Sequence, residues 1–327
     1  MNDLLFAVNA VLPMLLLITI GYILKKFKLF NETLTKGINQ INFLIGLPVL
    51  LFYSLYNLDS FKIDVNIIVY LTIMIFILFF LGWIIVHFYR TKKNRKGLLF
   101  QSMFRSNATT IGIQVALSLG ITARASANVI ALTGLAIGMF NVLGVIAFQL
   151  YDDDSVKINP INLIIKIFTN PTVIAVILGF IVLGIRPMIG NVLVIKDYLS
   201  PLYKVLGQIA GLAAPLALIT MGGSFSFSSI KNQIKDISLG VFFRSFFAPF
   251  LVLGVALLFK SSLGFDENHF PAIISIMFPS LTVAVVPMSE YMNGDSKFAG
   301  QLVVWTTIFS TITMFSAILL LKSLGLV

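Results

Sequence analysis

Apolar residues run along this chain in long blocks, each ended by a short polar or charged stretch. Taking about 20 apolar residues as the length that crosses a bilayer, the blocks predict ten spans, at 4–24, 34–56, 66–88, 98–119, 125–149, 163–185, 199–222, 237–259, 270–291 and 298–321. Two of them depart from uniform apolarity. The stretch 97–120, GLLFQSMFRSNATTIGIQVALSLG, carries Arg105, Asn107, Thr109, Thr110 and Gln114. The stretch 270–294, FPAIISIMFPSLTVAVVPMSEYMNG, is interrupted by Pro279 and Pro287, each of which removes a main-chain donor. Charged or amide groups in hydrocarbon are costly unless they face protein or water, so they default to a functional role. Two interrupted spans in corresponding halves of one chain point to the binding site of a transporter.

Composition agrees with a membrane protein. Of 327 residues, 58% are hydrophobic and 11% charged, against about 25% charged in a soluble domain. There is no cysteine, which excludes disulfides and cysteine-ligated metal centres; no metal or cofactor is expected. The formal net charge is +10, but the basic residues form short clusters between apolar runs rather than a stripe with stacking aromatics, so no nucleic-acid partner is expected. They read as topology signals. With the N-terminus outside, fourteen Lys and Arg fall on the inner side, chiefly at 25–36 and 90–96, and seven on the outer; this predicts both termini outside. The first apolar block has its lysines after it, not before it, so it reads as a retained span rather than a secretory signal.

Asp152–154 and Asn159-Pro160 interrupt the pattern between the fifth and sixth spans and divide the chain into 1–150, a short connection at 151–162, and 163–327. An odd number of spans per half makes the second half run inverted. Pro13 and Gly21 are spaced like Pro171 and Gly179, Pro48 in GLPVLLF matches Pro215 in AAPLALI, and Met103-Phe104 matches Met277-Phe278. The offset of the last pair carries Gly120, Ala125, Val129 and Thr133 onto Gly294, Ala299, Val303 and Thr307. An inverted duplication places a pseudo-twofold axis in the membrane plane and a site near the bilayer midplane.

FTNPTVIAVILGF in the sixth span, LAAPLALITMGGSF in the seventh and PSLTVAVVPMSEY in the ninth resemble the auxin efflux carrier family, whose bacterial members include malate and malonate permeases. In the fourth span SNATTIGI is similar to the asparagine-to-glycine segment of the plant carriers, with Asn107 and Gly112 on its fixed positions. The resemblance implies an all-α integral membrane protein with ten transmembrane helices as a 5+5 inverted repeat, whose broken crossover helices 4 and 9 unwind and cross at the site. It further implies a homodimer, with spans 1, 2, 6 and 7 forming a scaffold and spans 3–5 and 8–10 a transport domain that moves by an elevator mechanism in the cell membrane. Gln114 stands where the plant pattern has proline, and the long cytosolic loop of the plant carriers is reduced to the short connection.

The candidate substrate-binding residues are Arg105, Asn107, Thr109, Thr110, Gly112, Gln114, Ser280 and Thr282, with Gly112, Pro279 and Pro287 as hinges. A guanidinium matches a carboxylate bidentately; the alternatives for Arg105 are snorkelling to the inner surface or an ion pair with Glu290. Glycine lets the backbone leave helical geometry, and amide and hydroxyl side chains satisfy the freed groups. Arg244, in GVFFRSFFAPF, reads as snorkelling because no broken helix adjoins it. His87 and His269 read as interfacial. All 13 acidic residues fall in connections or near span ends, which leaves no buried carboxylate for ion coupling beyond Glu290. No nucleophile triad, phosphate loop or metal spacing stands out, so an enzyme is not expected. The reading is a carrier of small organic anions, mono- or dicarboxylates such as malate or auxin-like aromatic carboxylates; a membrane sensor that binds without transporting is the alternative.

Overall fold

The computed structural model describes residues 3–57, 64–151, 161, 165, 168–169, 171–189, 199–224, 233–292 and 294–327, and their regular secondary structure is all helical. The helices are α1 (Asp3–Lys26), α2 (Glu32–Ile41), α3 (Leu47–Tyr56), α4 (Val65–Phe88), α5 (Lys93–Phe104), α6 (Ile113–Ser118), α7 (Ala123–Gln149), α8 (Pro171–Ile189), α9 (Ser200–Ser224), α10 (Ile234–Phe242), α11 (Ala248–Leu258), the single turn α12 (Lys260–Leu263), α13 (Phe270–Met277), α14 (Val285–Tyr291) and α15 (Ser296–Ser323). Turns of π-helix join α2 to α3, precede α6 and join α10 to α11. Most of the connection expected at 151–162 and the start of the sixth span lie outside the described residues.

Among the described residues, five helices are long and apolar enough to cross a membrane: Val65–Phe88, Arg124–Gln149, Ser200–Thr220, Ile234–Leu258 and Lys297–Ser323. Helix α4 illustrates the solvent they require. One face buries Ile67, Tyr70, Leu71, Ile75, Leu78 and Phe79, while Val69, Ile73, Phe76, Phe80, Trp83 and Ile84 on the other are exposed. A helix apolar on every face, with one face uncovered by protein, belongs in lipid.

Among the described residues, the buried apolar side chains form two clusters. Helices α3, α8 and α9 pack together around Leu47, Leu51, Leu55, Leu183 and Ala213, and α1 lies along α9. The α1–α9 crossing is tight in both directions: a Cβ on Gly21 would collide with the Ile219 carbonyl, and one on Gly222 with the Ile18 carbonyl. Small residues let membrane helices approach this closely. The larger core draws chiefly on α4, α5, α7, α10, α11, α13 and α15, with Ile18 of α1 and Leu218 of α9 joining it and Phe100, Phe104, Phe270, Phe278 and Phe298 wholly buried. The interrupted helices lie within this larger group.

Two polar clusters mark opposite ends of α4. At its start, Asp64 caps the helix by accepting from the Asn66 N–H at 3.0 Å, and its Oδ2 meets Arg124 at 2.8 Å and His269 Nε2 at 2.9 Å. Just past its end, Tyr89 and Thr91 donate to Asp236. The buried Arg95 pairs there with Asp236 at 3.3 Å and Asp295 at 2.9 Å. The 24 residues of α4 separate the clusters by about 36 Å, at about 1.5 Å per residue.

Candidate functional site

Both interrupted stretches leave helical geometry where their polar residues and Pro279 lie. Helix α5 stops at Phe104; Arg105 is extended at φ −87°, ψ 130°, and the chain re-enters a helical path at the π turn Ala108–Gly112. Helix α13 stops at Met277, and α14 begins at Val285. Pro279 stands in this gap. Pro287 instead lies in the first turn of α14, where an absent N–H costs nothing because those donors have no helical acceptor.

The two interruptions satisfy each other. The Asn107 N–H donates to the Ser280 carbonyl at 2.7 Å, and Ser106 Oγ to the Ile276 carbonyl at 2.5 Å. Gly112 is required here, because a Cβ would collide with the Ser275 carbonyl. The Leu281 N–H finds Thr306 Oγ1 on α15 at 3.2 Å. Main-chain groups freed by a break at membrane depth must find partners within the protein, and these contacts supply several.

Arg105 points toward α7 and is 3% exposed. One terminal nitrogen donates to Gln101 Oε1 at 2.7 Å and to Met288 Sδ at 3.2 Å, and the other to Asn141 Oδ1 at 2.9 Å. Gly144 gives it room: a Cβ there would lie 2.6 Å from the guanidinium. The guanidinium thus stays inside the protein, so the snorkelling alternative fails. No described carboxylate pairs with it; the Glu290 side chain lies outside the described part of the structure. Three buried donors in this segment have no acceptor among the described residues: Arg105 Nε, Gln101 Nε2 and Asn107 Nδ2. Donors without acceptors around a charge without a counter-ion, as found here among the described residues, are the arrangement an anion fills.

Of the other residues expected at the site, Ser280 and Thr110 are buried, and Thr109, Thr282 and Gln114 half-buried. Ser280 takes part through its carbonyl. Gln114 belongs to α6, beyond the π turn. Gln101, Asn141, Gly144 and Met288 were not legible as site residues. Gln101 alone had a local signal, one helical turn before Arg105 on the same face.

Arg244 and His269 depart from expectation. Arg244 is fully buried and donates to the Met277 carbonyl, so it does not snorkel. A broken helix adjoins it in space although none does in sequence. His269 stays near a span end, as expected of an interfacial residue, but is fully buried within the protein. Its Nδ1 lies 2.7 Å from Asp266 and its Nε2 2.9 Å from Asp64. Burial, the largest single influence on the Asp64 carboxyl, works to raise it. The Asn66 N–H, His269 and Arg124 outweigh burial and hold it below the usual carboxylate range. Asp266 is lowered too: burial opposes the shift, and Asn268, His269 and Arg124 prevail.

A family model described as a membrane transport protein matches residues 6–151 and 155–318. No curated protein matches the chain.

Proposed function

Because the chain belongs to the membrane transport, or auxin efflux carrier, family, we propose that it is a carrier of small organic anions, binding them between the two helix interruptions. The observation that carries this reading is the buried Arg105 guanidinium, with no described carboxylate against it and with the Arg105 Nε, Gln101 and Asn107 donors left open beside it. Donors without acceptors favour carboxylates over cations or neutral sugars. A mono- or dicarboxylate such as malate, or an auxin-like aromatic carboxylate, has the acceptor geometry a guanidinium holds best.

The proposed architecture is ten spans in two inverted sets of five, with helices 4 and 9 crossing at the interruptions. Several features support it. Asp64, Arg124 and Asp266 come from connections assigned to the outer side and converge, as do Arg95, Asp236 and Asp295 from the inner side. The roughly 36 Å between these clusters exceeds the bilayer's hydrocarbon thickness of about 30 Å. The halves also match in detail: α5 and α13 both stop before the segment that meets the other, and Thr122 and Asp295 cap α7 and α15 through the same side-chain bond to the N–H three residues on. The separate core that α3, α8 and α9 share supports a scaffold of spans 1, 2, 6 and 7, with the remainder as a transport domain moving as an elevator, although Ile18 of α1 and Leu218 of α9 join the larger core. The resemblance further implies a homodimer through the scaffold, in a cell membrane with both termini outside.

Counterflow of labelled malate and other carboxylates into proteoliposomes tests the reading. The wild type should exchange at least one of them, and Arg105→Gln should reduce exchange at least tenfold, since one charge-assisted hydrogen bond is worth about 1.5–3 kcal/mol. Binding without counterflow would mark a sensor. Unchanged exchange in Arg105→Gln would remove Arg105 from the site.

A further inference from the structure

The carbonyl end of α13 points into the protein core, where it must be neutralised. The last carbonyls of a helix have no partner within it, and the end carries about half a unit of negative charge. In α13 the Ile274 carbonyl accepts from the Phe278 N–H that closes the helix, and the other three meet distant parts of the chain. The Ser275 carbonyl packs against Gly112, the Ile276 carbonyl accepts from Ser106, and the Met277 carbonyl accepts from Arg244. Arg244 arrives from the π turn Phe243–Phe247, is completely enclosed, and makes no ion pair among the described residues. Its Nε and remaining terminal nitrogen have no acceptor among the described residues. A lone guanidinium so deeply buried is costly to keep. What it meets there is the negative end of an interrupted helix.

In carriers with broken helices, unwound carbonyls and half-helix C-termini hold the coupling sodium ion or proton. We propose that Arg244 is a tethered cation doing this work: its guanidinium occupies the carbonyl end of α13, fixes the interruption at 278–284, and relieves the site of any need for a free monovalent metal ion there. Arg105 does not duplicate the role. It follows the last residue of α5, but its guanidinium is held by the side chains of Gln101, Asn141 and Met288 rather than by main-chain carbonyls. Arg244 is therefore a positioning residue. Its role deepens the transport reading, since it settles which cation serves the proposed site.

The test compares wild type, Arg244→Lys, Arg244→Gln and Arg244→Ala as purified full chains. Thermal unfolding is read without substrate in N-methylglucamine, sodium and potassium chlorides, and with guanidinium added well below denaturing concentration. Wild type and Arg244→Lys should unfold at the same temperature in all three salts. Arg244→Ala should unfold lower and regain at least ~2 °C with guanidinium or sodium, because a ligand that binds only the folded state stabilises it by mass action. If Arg244→Ala cannot be recovered, Arg244→Gln should show the same gain. A wild type stabilised by sodium over N-methylglucamine, or neutral variants no more cation-sensitive than wild type, would overturn the proposal. Carboxylate counterflow, run on the same preparations, is independent: if no carboxylate exchanges but the neutral variants become cation-dependent, the anion reading falls and the role of Arg244 stands.

Discussion

Alanine at Gly144 should weaken anion binding while leaving the protein folded. A Cβ at this position of α7 would lie 2.6 Å from the Arg105 terminal nitrogen, 2.9 Å from Gln101 Oε1 and 3.4 Å from Gln101 Cδ. All three neighbours are side-chain tips, so the guanidinium must swing while the backbone stays. Swinging breaks the 2.7 Å bond from Arg105 to Gln101, a charge-assisted hydrogen bond worth about 1.5–3 kcal/mol. A displaced guanidinium also forfeits a bond of that worth to the ligand, which is roughly a 10- to 150-fold rise in Kd, at about 1.4 kcal/mol per factor of ten. Stability changes less. Overpacking costs about 1–3 kcal/mol, and replacing glycine inside a helix returns about 0.5–1 kcal/mol. Gly138 on the same helix is the control, because nothing lies within 4 Å of a Cβ there; Gly138→Ala should leave Kd unchanged. Isothermal titration with whichever carboxylate gives the largest thermal shift measures both variants. If Gly144→Ala binds like wild type, or Gly138→Ala loses as much, the guanidinium does not hold the ligand.

Two further predictions concern the polar clusters at the ends of α4. Arg95→Met leaves the Asp236 and Asp295 carboxylates, only 12% and 17% exposed, without their cation; it should cost about 3–5 kcal/mol, the usual result of removing one partner from a buried ion pair. The triple variant with Asp236→Asn and Asp295→Asn should recover most of that in thermal unfolding, and equal losses in the single and triple variants would count against the pairing. At the other end, the lowered carboxyls of Asp64 and Asp266 contribute stability that is fully present above the ordinary carboxylate value of about 4. That contribution is lost as pH falls through their folded-state values. The unfolding temperature should thus drop on acidification below about pH 4, and less steeply in Asp64→Asn; identical slopes would refute the linkage.

The order of apolar blocks determined much of the molecule on its own. Hydrophobicity is a local property of composition, so helices lie on every expected span within the described residues. The polar run at Arg105–Asn107 and the missing donor of Pro279 likewise announced both interruptions, because a helix cannot continue where its donors vanish or its side chains compete for the backbone. The π turns at Asn42–Gly46 and Phe243–Phe247 each end two residues before a proline, Pro48 and Pro249, whose missing donor marks a disturbed helix but not a π turn. Arg105 and Arg244 looked alike in sequence, each about two turns inside an apolar run. Only tertiary structure separated them: one guanidinium is seated against Gly144 among side-chain acceptors, the other on the bare carbonyl end of α13. Apart from Gln101, one turn before Arg105, their partners come from residues 33 to 183 positions away. The same holds for His269, which meets Asp64 across 205 residues. A charge in an apolar helix is legible as an anomaly from sequence alone; what neutralises it depends on which helix faces meet, and that is decided only when the whole chain packs.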